Sequence, residues 1–147
     1  MYWLKSMLLA MAFAGEITLP AFEFTQLNGD KLTQENLTKN QPVLVFYYDP
    51  FCDHCNEQAK LIQADFDRFT NYTLIWVSWG EEAEAANFQS KYFDGKDNVL
   101  FAIDSEFNFD AWFGYSEVPT TYVFDNNWVQ ISKFDKEVSV DELLGGL

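Results

Sequence analysis

The chain has 147 residues, 48% of them apolar and 18% aromatic, with 23 acidic against 9 basic side chains and a formal net charge of −14. That length fits one domain, burying about two thirds of the surface its unfolded chain exposes, and the apolar share supports a packed core and argues against disorder. No Lys/Arg cluster is present to track a phosphate backbone, so nucleic acid is not an expected partner, and the acidity reads as a solvated surface.

Residues 1–14 carry one basic side chain, Lys5, a short apolar run and Ala12-Phe13-Ala14 before Gly15. They read as an export signal or N-terminal anchor, too short to span about 30 Å of hydrocarbon, and the domain is expected over residues 15–147. Residues 16–24 alternate weakly and predict a short strand, with a hairpin turn at Asn28-Gly29. Residues 33–37 predict one helical turn before Gln41-Pro42, where proline limits what can precede the next strand. Residues 43–48 lack polar alternation, as expected of a strand covered on both faces. From Asn56, apolar Ala59, Ile62, Phe66 and Phe69 recur at helical spacing and predict an amphipathic helix. Residues 73–77 predict a second buried strand, and residues 81–92 a helix with acids in its first turn. A polar turn at 94–98 leads to a strand over 99–103 and a short helix over 105–113, ending at Gly114. Residues 120–124 and 128–134 predict an antiparallel hairpin through Asp125-Asn126-Asn127, and 140–144 a closing helix. No repeat, low-complexity tract or linker is present.

The chemistry concentrates between Tyr47 and Cys55, where the apolar strand turns into the amphipathic helix. Cys52 and Cys55 are the only cysteines, and their offset at a helix start brings two sulfurs over one face, where they can close a disulfide and reopen it. Unsatisfied backbone N–H groups and the positive helix end favour an anion at the first sulfur, which marks Cys52 as the nucleophile. A structural zinc site needs four ligands, and the single histidine, His54, lies between the two cysteines. A purely structural staple would close only a tiny loop and constrain the unfolded chain little. The sequons at Asn36 and Asn71 are assigned no role.

The strand, its aromatic-rich approach and the Cys-x-x-Cys together resemble the thioredoxin superfamily. Pro20-Ala21-Phe22-Glu23-Phe24 followed by Leu27-Asn28-Gly29-Asp30 resembles the leading hairpin of the TlpA/redoxin branch, and Val118-Pro119-Thr120-Thr121 resembles the family's cis-proline loop. The resemblance runs from about Leu19 to the C-terminus. It implies an α/β thioredoxin-like fold, a central mixed β-sheet flanked by helices, with an N-terminal hairpin and an inserted strand–helix unit over residues 99–113. It also implies that Pro119 packs against the dithiol and blocks metal capture, that the Val118 backbone pairs with a substrate strand, and that Thr120 leads into the sheet. His54 stands as in the CxHC arrangement of DsbA and protein disulfide isomerase, where the imidazole helps hold negative charge and pushes the pair toward oxidising character. Asp49, Asp53 and Glu57 oppose that charge. Phe46 occupies the place of the buried acid of thioredoxin, and Gln58 that of a glutamate found in some TlpA-type reductases, leaving Glu57 or water to deprotonate Cys55. Asp49-Pro50-Phe51-Cys52 does not match the approach to a peroxiredoxin's peroxidatic cysteine.

The resemblance implies a thiol–disulfide oxidoreductase, a TlpA-type reductase working outside the cytoplasm rather than a donor of disulfides. Its partners would be disulfide- or dithiol-containing proteins and a membrane or soluble electron-donor protein. No flavin, nucleotide or metal motif is present, so no cofactor is expected beside the cysteine pair. The alternative is a non-catalytic thioredoxin-like module, with a groove rimmed by Tyr48, Phe51, Trp79 and Trp112 and a dithiol that toggles docking. No stretch marks a dimerisation surface.

Overall fold

The computed structural model describes residues 15–147, so the export-signal reading of residues 1–14 lies outside the described residues. The chain runs β1 (Glu23–Gln26), β2 (Lys31–Thr33), β3 (Val43–Tyr47), α1 (Asp53–Ala64), β4 (Thr73–Ser78), α2 (Glu82–Phe93), β5 (Val99–Ile103), α3 (Phe109–Phe113), β6 (Thr120–Phe124), β7 (Gln130–Phe134) and α4 (Val140–Leu144). The strands form one seven-stranded sheet in the order β2-β1-β5-β4-β3-β6-β7. It is mixed: β3, β4 and β5 are parallel, joined by helical crossovers, and the remaining pairings are antiparallel.

Side-chain alternation divides the core into two layers. Leu44 and Phe46 of β3 and Leu74 and Trp76 of β4 face α1, α2 and α4, packing with Ala59, Ile62, Phe88 and Leu143. Val43, Val45, Ile75 and Val77 face the opposite side, covered by Leu19, Phe22 and Phe24 of the N-terminal segment and Phe109 of α3. Aromatic stacking dominates both layers. Phe46 lies 4.2 Å from Trp76 between ring centroids on one side, and Tyr47 lies 4.2 Å from Phe109 on the other. The expected thioredoxin-like fold is present, including the N-terminal hairpin turned through Gly29, whose φ of +90° suits glycine. The inserted β5 and α3 are present too, with β5 placed between β4 and β1.

Three predicted elements need correction. The strand expected over 16–24 begins only at Glu23: Leu19 donates to Trp128 O at 2.8 Å and Gln130 to Ile17 O at 2.7 Å, so residues 17–19 run beside the β6–β7 connection. Pro20, which has no N–H, marks the point where pairing changes sides. The dithiol helix ends at Ala64 because Asp65 leaves helical geometry (φ −129°, ψ 35°), and a separate 3-10 turn, Phe66–Phe69, then buries Phe69. The helix expected over 105–113 is confined to Phe109–Phe113. Buried Asp104 accepts hydrogen bonds from the backbone N–H of Asn108 and of Phe109, both at 2.9 Å, which organises the preceding residues as a loop.

A candidate dithiol site

As β3 ends, the chain turns through Asp49-Pro50-Phe51 into α1. Asp49 shapes that turn twice: its carboxylate accepts from Phe51 N at 2.9 Å, and its carbonyl accepts from Cys52 N at 3.0 Å. Asn56, one turn into the helix, donates to both Pro50 O and Cys52 O at 2.9 Å, and Tyr92 of α2 donates to Asn56 Oδ1. Cys52 is thereby held as the N-cap of α1, with its Sγ accepting the Cys55 N–H at 3.3 Å. Both cysteines are free thiols, Cys52 half-buried and Cys55 buried. Burial pushes the Cys55 thiol well above its ordinary range, its contact with Cys52 adds to this, and the Asp49 backbone partly opposes it.

The other expected site residues lie on two elements, the loop before β6, which comes beside the dithiol, and the first turns of α1, whose polar side chains face solvent. Tyr47 pairs with Thr120 across β3 and β6, bringing the loop before β6 beside the turn that carries Cys52. In that loop the Val118-Pro119 bond is cis, Pro119 is buried, and Val118 packs against the cluster that contains Cys55. Thr120 is buried and donates its hydroxyl to Glu117 O. His54 projects to solvent, with Nδ1 2.7 Å from Glu137 Oε1, so its hydrogen bond among the described residues is to a carboxylate and not to a sulfur. Glu57 is held by Lys60 at 2.7 Å on the exposed side of α1. Asp53 is exposed in the first turn. Of the four rim aromatics, Tyr48, Phe51 and Trp79 line one cleft, whereas Trp112 packs in the layer on the opposite face of the sheet. Among the described residues no three His, Cys, Asp or Glu side chains converge as a metal-binding group.

The family model described as AhpC/TSA matches residues 17–134 of this chain. The chain belongs to the AhpC/TSA family. It is a redoxin-type member of the thioredoxin superfamily and carries the dithiol of an oxidoreductase. Among curated proteins, none matches this chain. Solved structures share its fold. A secreted Mycobacterium tuberculosis disulfide oxidoreductase homologous to E. coli DsbE superposes with a TM-score of 0.69 at 19% identity, over 85% of this chain and 92% of that one. A putative thiol:disulfide interchange protein DsbE from Chlorobium tepidum gives 0.70 at 13% identity, over 86% and 89%. The peroxidoxin BcpB from M. tuberculosis gives 0.70 at 19% identity, over 89% and 91%.

In this AhpC/TSA-family chain the dithiol helix is tied to the β7–α4 connection at two consecutive residues, a contact the sequence reading missed. His54 meets Glu137, and four residues on, the buried Gln58 donates to Val138 O at 3.0 Å and accepts from Val138 N at 2.9 Å. The available signal was a polar residue on the apolar stripe of α1, which demands a partner. The Glu137 hydrogen bond, reinforced by its charge, raises the His54 pKa above its ordinary 6.5. Because the folded value is raised, the stability this pair adds is fully present below about pH 6.5 and is lost as pH climbs through the folded value. An NMR titration of the imidazole should give a midpoint above 6.5, and Glu137→Gln should lower it toward that value.

Proposed function

We propose that the chain is a thiol–disulfide oxidoreductase that reduces disulfides of partner proteins outside the cytoplasm, in the manner of a TlpA-type reductase. The observation that carries this reading is the asymmetry of the two cysteines: Cys52 is half-buried and its Sγ accepts a backbone N–H, while Cys55 waits behind it, buried and protonated. In the forward direction Cys52 thiolate attacks one sulfur of a partner disulfide. The partner S–S bond breaks, a Cys52–partner bond forms, and the released sulfur takes a proton from water. Cys55 then loses its proton and attacks Cys52 Sγ, closing the Cys52–Cys55 bond and freeing the second partner thiol. Two electrons have passed from the dithiol to the partner, and a dithiol of an electron-donor protein restores them by the same steps in reverse. The Val118 backbone, beside the turn, offers its polar groups to an extended substrate strand.

Extracytoplasmic work is supported by the signal-like composition of residues 1–14 and by the fold shared with a secreted disulfide oxidoreductase. No helix among the described residues is long and apolar enough to cross a membrane. The test is the equilibrium of the Cys52–Cys55 couple against a glutathione buffer. A reductase should poise near thioredoxin's value of about −270 mV, and a value near about −120 mV would reverse the assigned direction.

A further inference from the structure

Beside the nucleophile, a cleft of about 210 Å³ opens between the Cys52 turn and the β4–α2 connection, lined by Tyr48, Phe51, Ser78, Trp79, Glu81 and Glu84. Three independent features mark it. Phe51, immediately before Cys52, is 75% exposed at its mouth. The hydroxyls of Tyr48 and Ser78 are buried with no hydrogen-bond partner. The Ser78 hydroxyl lies near enough to the phenol to favour its ionised form as a neighbouring hydrogen-bonding group, yet the two oxygens fall short of hydrogen-bond geometry, so neither satisfies the other. A buried hydroxyl left unpaired is costly, and a donor-bearing ligand would relieve it. Finally, Glu81 and Glu84 carry no ion pair among the described residues. Acids at a helix start answer the helix dipole, but Glu81, the N-cap of α2, makes no side-chain capping bond.

We propose that this cleft is a side-chain subsite for a lysine or arginine next to the reactive cysteine of a disulfide substrate. The aliphatic stem of such a residue packs against Phe51 and Trp79, whose ring faces also attract the cation. Its N–H donors meet the carboxylates of Glu81 and Glu84 and the unpartnered oxygens of Tyr48 and Ser78. A lone acidic rim would attract any cation; the apolar walls and orphaned hydroxyls make the site specific for a long side chain that ends in donors.

The inference rests on the reading of Cys52 as the attacking sulfur, and the experiment separates the two. Reduced protein is mixed with three peptides, each a disulfide with 2-mercaptoethanol, that differ only in a Lys, Phe or Glu beside the cysteine. In each reaction the peptide S–S bond breaks, the Cys52–Cys55 bond forms, and the dithiol's two electrons and two protons pass to the two released thiols. Single-turnover rates should rank Lys above Phe above Glu, with Lys favoured over Glu by about tenfold, the scale of two modest ion pairs. The Glu81→Gln/Glu84→Gln variant should bring that ratio close to one, whereas Glu16→Gln/Glu35→Gln, which removes equal charge from exposed positions elsewhere, should retain it. A fastest rate with Phe, or equal loss of discrimination in both variants, would overturn the subsite. Equal rates with all three peptides would overturn it while leaving disulfide exchange intact, and no oxidation by any of them would remove the exchange reading itself.

Discussion

Cys52→Ser should reduce a protein disulfide no faster than solution does, a loss on the order of 10⁴-fold or more, the scale on which deleting a covalent nucleophile acts. Serine is itself a favoured N-cap, so the turn held by Asp49 and Asn56 should survive and the loss should come from chemistry, not unfolding. Cys55→Ser should behave differently. Its Cys52 still attacks, but no second sulfur releases the product, so partner proteins accumulate on Cys52 as mixed disulfides. Cys55 is fully buried, at 0% exposure, and in a Cys52→Ser chain it meets no partner disulfide. Non-reducing electrophoresis and mass spectrometry of the trapped adducts read the difference, and equal trapping by the two variants would refute the division of labour.

What the sequence shows of this molecule follows the range of its forces. The limits of β5 and α4 follow from local composition, an unbroken apolar run after a polar turn for β5 and a short closing stretch before two glycines for α4, and the structure has them at Val99–Ile103 and Val140–Leu144. The dithiol turn is equally local, because a strand running into a helix with cysteines three apart allows few arrangements. The errors lie where a distant contact or a single polar group overrides the pattern. Residues 17–19 pair beside the β6–β7 connection because Pro20 interrupts their continuation into β1, and the carboxylate of Asp104 holds the backbone before α3 in a loop where a longer helix is expected from the sequence. At the site, Cys52, Cys55 and Pro119 could be named from spacing and resemblance, whereas Glu137 and Val138 could not. They lie 83 and 80 residues from the side chains they hold, and no local pattern says which connection passes over which helix face. His54 shows the same limit: the resemblance places it near the first sulfur, and only the fold shows that its Nδ1 meets the Glu137 carboxylate.

Gln58→Leu should cost about 3 kcal/mol of unfolding free energy, since it orphans a buried N–H and a buried C=O of Val138 at about 1–3 kcal/mol each, partly offset by apolar burial. For a chain of this size that corresponds to a fall in Tm of roughly 6–12 °C. Gln58→Glu discriminates the cause, because a neutral carboxyl can still donate to Val138 O and accept from Val138 N, while a carboxylate can only accept. Burial against a carbonyl raises the folded pKa of that glutamate above the unfolded value of about 4.3. Its stabilising contribution is therefore fully present below about pH 4.3 and is lost as pH rises through the folded value. The Glu variant should approach the parent in acid and fall to or below the Leu variant at neutral pH, as read by denaturant unfolding across that range. A Leu variant within about 1 kcal/mol of the parent, together with a Glu variant whose deficit does not change with pH, would mean the Val138 pairing carries little of the fold's stability. The expected pattern would make the amide at position 58 the anchor that keeps α1, and with it the Cys52 cap, in place while the sulfurs exchange partners.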